Sequence, residues 1–289
     1  MVRRIAFILL WVVGLASAAH VWFRHASLRQ FDKAHSHEWV LVGDSHADDI
    51  RWGGRPRFSG PAQDLYSSLK MVKSLRETAT DSSKIQGVVL TFWPNKFSPL
   101  AERRLSGVAQ DDNWGSMAFG RIAPLMTLGD LFRDDVPLRY RLRMAFHTLQ
   151  FKTTFAWWDV QCEEKSVGEG YTYGLSEAMM HQNWWGEAQI APGLFQALVE
   201  EVTSQGWHLV VVENPLHSCY YDQVNAEALA GYHAWMGEVS QHPSGKVHWL
   251  ALGRQNHDFN LFRDYHHLTC KGEALVKEAL DEVLEGISE

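Results

Sequence analysis

Four short apolar runs, separated by long intervals, constrain the fold of this chain more than any other feature of its sequence. They read WVLVG from Trp39, IQGVVLTFW from Ile85, WHLVVVEN from Trp207 and KVHWLAL from Lys246. Nearly continuous apolar runs of this kind are typical of parallel strands that are covered on both faces. Apolar residues with helical spacing lie between and after the runs. This alternation predicts an α/β fold, with a doubly wound, mainly parallel sheet flanked by helices.

The length and composition indicate one large domain, which we expect to span residues 38–289. The chain has 289 residues, of which 46% are hydrophobic, so it can bury a sizeable core. Its formal net charge of -7 and the lack of a basic run exclude nucleic acid as an expected partner. From about residue 96 to 192 no clear strand pattern is present and tryptophans accumulate, which predicts an inserted, partly helical, Trp-rich cap.

The N-terminus has a different composition from the rest of the chain. Arg3 and Arg4 precede an apolar run from Ile5 to Phe23, close to the length that crosses a bilayer. The arginines predict a cytoplasmic N-terminus, so residues 1–25 would form a membrane anchor, with residues 26–37 as a polar juxtamembrane connector. A cleaved signal peptide is the competing interpretation, because the small residues at 16–18 fit a cleavage site.

Ser45 directly follows the first apolar run, so its side chain is expected at the carboxyl edge of the sheet, where ligands and substrates bind in such folds. A serine hydroxyl is a weak nucleophile unless a histidine, oriented by a carboxylate, takes its proton. The C-terminal stretch FRDYHHLTCKG offers Asp264 three residues before His267, with His266 as a rival base. We therefore predict that Ser45, His267 and Asp264 lie together.

The two blocks, GDS at residues 43–45 and DYHHLTCKG at residues 264–272, resemble the SGNH (GDSL-like) hydrolase superfamily. The resemblance implies that Ser45 is the nucleophile, His267 the base and Asp264 the acid. It also implies an oxyanion hole made by the backbone N–H of Ser45, by Gly60 in RFSGPAQDLY and by Asn95 in TFWPNKF.

The N-terminal anchor and the phrases SGPAQDLY and ENPLHSCYYDQV resemble the membrane-anchored branch of this superfamily. That branch includes extracytoplasmic partners of membrane-bound O-acyltransferases, such as proteins of alginate O-acetylation and teichoic-acid D-alanylation. The resemblance implies an acyl donor and a glycan acceptor as ligands, and a multi-spanning membrane O-acyltransferase as a partner.

Other polar and aromatic residues near the predicted edge are weaker candidates. His46 and His217 are candidate substrate contacts or loop-packing residues, and Trp184 with Trp185 are candidates for stacking on a sugar or filling a core. Acidic residues at 48 and 49 are favourable in the first turn of a helix without any cation. We expect no metal and no cofactor.

The three cysteines, Cys162, Cys219 and Cys270, are too few for a disulfide framework or a Cys-based zinc site. An exported chain can pair two of them, and the sequence leaves the pairing open.

The sequence favours an extracytoplasmic serine O-acyltransferase, held in the cytoplasmic membrane by one span. It would add acyl groups, acetyl foremost, to a cell-surface or secreted polysaccharide through an acyl-serine. The alternatives are a serine esterase that removes acyl groups from glycans or lipids, and a non-catalytic assembly partner of a membrane-bound O-acyltransferase.

Overall fold

The computed structural model describes residues 2–60, 63–107, 125–132, 136–147, 162–167, 188–253 and 258–288.

Five parallel strands form one sheet in the order β2-β1-β3-β4-β5. They are β1 (Trp39–Gly43), β2 (Arg57–Ser59), β3 (Gly87–Thr91), β4 (His208–Glu213) and β5 (Val247–Ala251). The four apolar runs form β1, β3, β4 and β5, which confirms the prediction of a parallel α/β sheet. β2 was not predicted from the sequence, because its three residues are too few to show a periodicity. It pairs with the last part of β1.

Helices cover both faces of the sheet. They are α1 (Val2–Ala34), α2 (Ser45–Asp48), α3 (Leu65–Thr78), α4 (Pro99–Leu105), α5 (Leu138–His147), α6 (Ile190–Thr203), α7 (Ser218–Tyr221), α8 (Ala226–Ser240) and α9 (Cys270–Ser288). Alternate strand residues point to opposite faces. Val40 and Val88 accordingly share a core with α3, α6 and α8, whereas Leu41 and Val89 share one with α9.

The N-terminal helix differs from the predicted anchor and connector. Residues 26–34 continue α1 into the domain, where Phe31 and Ala34 are fully buried and the Phe31 ring stacks on Phe58 at 4.2 Å. Within the expected connector at residues 26–37, Leu28, Phe31 and Ala34 recur every third residue, which places them on one helical face that packs on the domain. Among the described residues, no helix is long and apolar enough to cross a bilayer.

The first two-thirds of α1 nevertheless carries exposed large apolar side chains, namely Phe7, Leu10, Trp11, Val12, Val13, Leu15, Val21 and Trp22. The helix contacts the domain again near its middle. There His20 Nε2 lies 3.0 Å from the carbonyl oxygen of Met126, and Arg24 donates to that of Leu125 at 2.7 Å.

Only parts of the predicted cap at residues 96–192 are described, including α4, α5 and residues 162–167. Trp184 and Trp185 lie outside the described residues. The short segment 162–167 runs beside the C-terminal part of the domain, to which the Cys162–Cys270 disulfide joins it. Cys219 is a buried thiol.

Candidate active site

The turn that presents Ser45 is formed by a glycine and a helix-capping aspartate. β1 ends at Gly43, where an added Cβ would lie 1.8 Å from Thr91 Oγ1 of β3, so only glycine allows the two strands to approach so closely. Asp44 then caps α2 by accepting a hydrogen bond from the backbone N–H of His46. Ser45 is the first residue of that helix.

The strand order places this turn in a crevice of the sheet. The chain leaves β1 towards β2 on one side, whereas it leaves β3 towards β4 on the other. Neighbouring strands whose connections diverge in this way leave an opening at their carboxyl ends, where ligands bind in open α/β sheets. Ser45 follows β1 and Asn95 follows β3, so both residues lie at this opening.

His267 and Asp264 reach the same turn from the other end of the chain. Ser45 Oγ lies 3.0 Å from His267 Nε2, and His267 Nδ1 lies 2.7 Å from Asp264 Oδ2. The structure therefore brings the three residues together in one hydrogen-bonded series. With Nδ1 protonated and donating to Asp264, Nε2 is free to accept the serine proton.

A tight loop explains why the aspartate precedes the histidine by three residues. Phe262 and Leu268 pair as an isolated antiparallel bridge, and residues 263–267 form the loop between them. Asp264 Oδ1 accepts hydrogen bonds from the backbone N–H groups of His266 and His267, both at 2.8 Å. The loop backbone thereby holds one carboxylate oxygen and leaves the other for the imidazole.

The charges of this loop favour a protonated His267. Burial alone would lower the pKa of His267, but its hydrogen bond to Asp264 and the nearby Asp49 carboxylate raise that pKa overall. Burial opposes ionisation of Asp264 as well, yet the hydrogen bond with His267 and the charges of both neighbouring imidazoles hold the pKa of Asp264 well below its usual range. The pair can therefore take up and hold a proton.

The side chain of His266, the rival base, makes no hydrogen bond to Ser45 or Asp264. Its ring stacks on Tyr265 with centroids 4.1 Å apart, and its Nε2 lies 3.6 Å from Asp264 Oδ1, too far for a hydrogen bond. Burial and the neighbouring imidazoles hold the pKa of His266 well below its ordinary value. The side chains of Ser45 and Asp264 thus form their hydrogen bonds with the imidazole of His267 and not with that of His266.

His46 lies inside the protein rather than on the cleft surface. Its side chain is 2% exposed and its Nδ1 lies 2.9 Å from Asp44 Oδ1. Asp44 is buried as well. Its Oδ2 accepts a hydrogen bond from Trp93 Nε1 at 3.3 Å and lies 2.5 Å from Lys96 Nζ. Burial would raise the pKa of Asp44, but Lys96 and His46 hold it well below its usual range. The side chain of His46 is therefore too deeply buried for the expected contact with a substrate.

The three predicted oxyanion donors differ in their availability. The N–H of Gly60 donates to the carbonyl oxygen of Gly43 at 3.2 Å, extending the ladder between β1 and β2, so the prediction of a free donor at Gly60 is wrong for this structure. The N–H of Ser45 makes no hydrogen bond to the described residues. Asn95 is half-buried, and its Nδ2 likewise donates to none of the described residues.

His217 has a structural role at the same edge of the sheet. It caps α7, because its Nδ1 accepts a hydrogen bond from the N–H of Cys219 at 3.1 Å. Its side chain is buried, and burial lowers its pKa. Of the two interpretations of His217 left open by the sequence, the contacts favour loop packing.

A metal ion would have to compete with existing hydrogen bonds. Asp264, His266 and His267 offer ligand atoms within 4.8 Å of one another. Both oxygens of Asp264 already accept hydrogen bonds, and His267 Nε2 faces Ser45. These contacts favour proton transfer as the role of the cluster.

Sequence reasoning missed the residues that support the two histidines. Lys96 and Trp93 follow β3 and reach Asp44, while Arg263 reaches Asp49 from the C-terminal loop. Their only signal in the sequence is a polar or charged residue just after a predicted strand or beside a predicted base.

No family model and no curated protein sequence matches the chain.

Proposed function

We propose that the protein is a serine acyltransferase that adds acyl groups to a glycan through an acyl-serine at Ser45. The observation that carries this proposal is the hydrogen-bonded series from Ser45 Oγ through His267 to Asp264 at the carboxyl edge of the sheet. A nucleophile, a base within hydrogen-bond reach and a carboxylate that orients the base are the parts that acyl transfer requires.

In the proposed first half-reaction, His267 Nε2 takes the proton from Ser45 Oγ while Oγ attacks the acyl carbonyl. The Asp264 carboxylate stabilises the imidazolium that forms. When the tetrahedral intermediate collapses, the bond to the leaving group breaks and His267 returns the proton to that group. The second half-reaction repeats these steps, with a sugar hydroxyl attacking the acyl-serine.

The oxyanion of each tetrahedral intermediate would be stabilised by the N–H of Ser45 and the side chain of Asn95. Both donors are free of hydrogen bonds to the described residues, and both follow adjacent strands. Donors that are held in place before the charge develops contribute strongly to acyl transfer. Gly60 has no part in this scheme because its N–H is already used.

Two features support an extracytoplasmic, membrane-anchored protein. The Cys162–Cys270 disulfide is of a kind that forms and persists in oxidising compartments outside the cytoplasm. The exposed apolar side chains of α1, with Arg3 and Arg4 before them, suit a single span with a cytoplasmic N-terminus. A multi-spanning membrane O-acyltransferase would then deliver the acyl group to this domain.

The test is intact-mass spectrometry of the detergent-solubilised full chain after exposure to p-nitrophenyl acetate, with and without a glycan oligomer. We expect an acetyl adduct on the wild type that persists in water, discharges to the glycan, and is absent from Ser45→Ala. Ser36→Ala is the matched control, since the Ser36 hydroxyl is exposed and donates to the carbonyl oxygen of Lys33 at the end of its own helix.

Rapid release of acetate without an acceptor would instead identify an esterase. If neither an adduct nor turnover depended on Ser45, the acyl-serine proposal would be wrong, and a non-catalytic assembly role would remain.

A further inference from the structure

A buried carboxylate, Asp49, lies behind the loop that carries His267. Asp49 follows α2 directly and is 1% exposed. Its Oδ1 accepts a hydrogen bond from Arg263 Nη2 at 2.7 Å, and its Oδ2 accepts one from the backbone N–H of Leu268 at 3.2 Å. Arg263 is the first residue of the loop 263–267, and Leu268 follows its last. A single carboxylate thus holds both ends of the loop.

The helix that presents the serine therefore also supplies the residue that holds the histidine. Ser45 begins α2 and Asp49 caps its end, so the distance between Ser45 and the His267 loop is set through one short rigid element. The loop closes on itself as well, because the N–H of Arg263 donates to the carbonyl oxygen of His267 at 2.8 Å. This closure and the Asp264 Oδ1 hydrogen bonds to two backbone N–H groups restrain the loop internally, whereas the Asp49 contacts tie it to α2.

We infer that Asp49 and Arg263 are positioning residues for His267: together they hold the imidazole at Ser45, and Asp49 supplies a negative charge beside it when it is protonated. This inference rests on the proposed function, since it assigns a role in the acylation of Ser45. Neither residue is proposed to touch the substrate.

The charges around the imidazole give the inference a measurable signature. Burial raises the pKa of Asp49 to about 6, so the group is mostly ionised at neutral pH, and its charge raises the pKa of His267. Other titratable or charged groups surround Asp49 and His267. They come from the His267 loop, from α2, from α9 and from the disulfide-linked segment, and they are Arg263, Asp264, His266, His46, Glu273 and Glu163.

Asp48 provides a matched control one residue earlier. Its Oδ1 accepts from the Ser59 hydroxyl at 2.6 Å and lies 3.5 Å from Arg57 Nε, so it is tied to β2 and not to the His267 loop. Asp48→Asn and Asp49→Asn remove the same charge from neighbouring positions. Only Asp49→Asn removes a charge from the carboxylate that holds the His267 loop.

The first experiment measures the acetylation rate of Ser45 against pH in the full chain with p-nitrophenyl acetate. We expect Asp49→Asn to lower the rate constant about tenfold, as for loss of one charge-assisted contact, and to move the midpoint of its rise to lower pH. Asp48→Asn should keep the midpoint of the wild type. A purely structural role of Asp49 would lower the rate at every pH without moving the midpoint, and that result would overturn the inference.

The second experiment does not depend on activity, so it separates failure of this inference from failure of the proposed function. The pKa of His267 is measured by NMR in the full chain with ¹³C-labelled histidine, its signal being assigned by its loss in His267→Gln. We expect a lower pKa in Asp49→Asn, because the substitution removes the carboxylate charge that raises the pKa of His267. An unchanged pKa in this variant would overturn the inference, whether or not Ser45 is acylated.

Discussion

Two histidine–aspartate pairs lie beside Ser45, and their surroundings give them different roles. In the pair of His267 and Asp264, backbone N–H groups hold the carboxylate and the imidazole reaches the serine. In the pair of His46 and Asp44, both side chains are buried, and Lys96 compensates the carboxylate. The Nε2 of His46 is buried and has no hydrogen-bond partner among the described residues.

The difference shows that proximity along the chain does not supply the base. His46 is the sequence neighbour of Ser45, but adjacent residues of a helix point in different directions, so His46 turns into the core when Ser45 faces the cleft. His267 comes from 222 positions away and meets the hydroxyl because its loop lies at the same edge of the sheet.

The largest expected effect contrasts the two histidines directly. His267→Gln should lower acetylation of Ser45 by about 10³-fold or more, because it removes the base, as measured for catalytic triads. His46→Gln should change the rate only a few-fold, since the His46 side chain bonds to Asp44 and makes no hydrogen bond to Ser45 Oγ. Single-turnover acetylation with p-nitrophenyl acetate checks both variants. Equal losses in the two variants would mean that the pairs do not have separate roles.

The next effect contrasts the two aspartates in stability. Asp44→Asn should lower the free energy of unfolding by about 3–5 kcal/mol, because it leaves the Lys96 ammonium buried without its partner charge. Asp264→Asn should cost only about 1 kcal/mol, since its loop is partly exposed and the asparagine oxygen still accepts backbone hydrogen bonds. Chemical denaturation of the solubilised full chain, followed by circular dichroism, measures both. A smaller loss for Asp44→Asn than for Asp264→Asn would contradict the assignment.

The same ion pair sets a direction for the pH dependence of stability. The pKa of Asp44 is lower in the folded than in the unfolded protein, so its stabilisation is present above its unfolded pKa of about 3.9 and is lost as pH falls through the folded value. The wild type should therefore lose more stability than Asp44→Asn between neutral and acidic pH. Parallel unfolding curves at several pH values measure the difference.

A smaller effect is expected from the disulfide, which lies on the His267 side only. It joins residues separated by 108 positions, so replacing Cys162 and Cys270 by serine should cost about 2–4 kcal/mol by freeing the unfolded chain. Acetylation should fall as well, because Cys270 starts α9 three residues after His267. Thermal unfolding and acetylation of the double variant, with Cys219→Ala as the control, test this. Unchanged values in both assays would show that the disulfide does not support the loop.

The smallest effect is a displacement along the pH axis. The pKa of His267 is raised, so acetylation of the wild type should rise with pH to a midpoint above the ordinary histidine value of about 6.5, because only the neutral imidazole accepts the serine proton. Rates measured across neutral pH give the midpoint. A midpoint below the ordinary value would assign the base to a group without a carboxylate partner.

The sequence analysis anticipated the sheet and the meeting of Ser45, His267 and Asp264, because strand hydrophobicity and a three-residue spacing are local properties. It placed a free oxyanion donor at Gly60 and left His46 as a candidate substrate contact. Both depend on which neighbours occupy the space around the turn: Gly43 takes the N–H of Gly60, and Asp44 holds His46. The burial of Phe31 within the expected connector at residues 26–37 depends on distant neighbours in the same way, because its ring stacks on Phe58.

The sequence by itself determined four of the five strands, the glycine at the end of β1 and the Asp-x-x-His spacing, since each is set by residues close together along the chain. Only the tertiary structure decided which N–H groups remain available, which histidine is buried and which carboxylate supports the base. The physical reason is that hydrogen bonds and charge compensation depend on distances of a few ångströms between residues that are far apart in the chain. Asp49 illustrates this: one carboxylate in the turn after α2 holds a loop that lies more than 200 positions later.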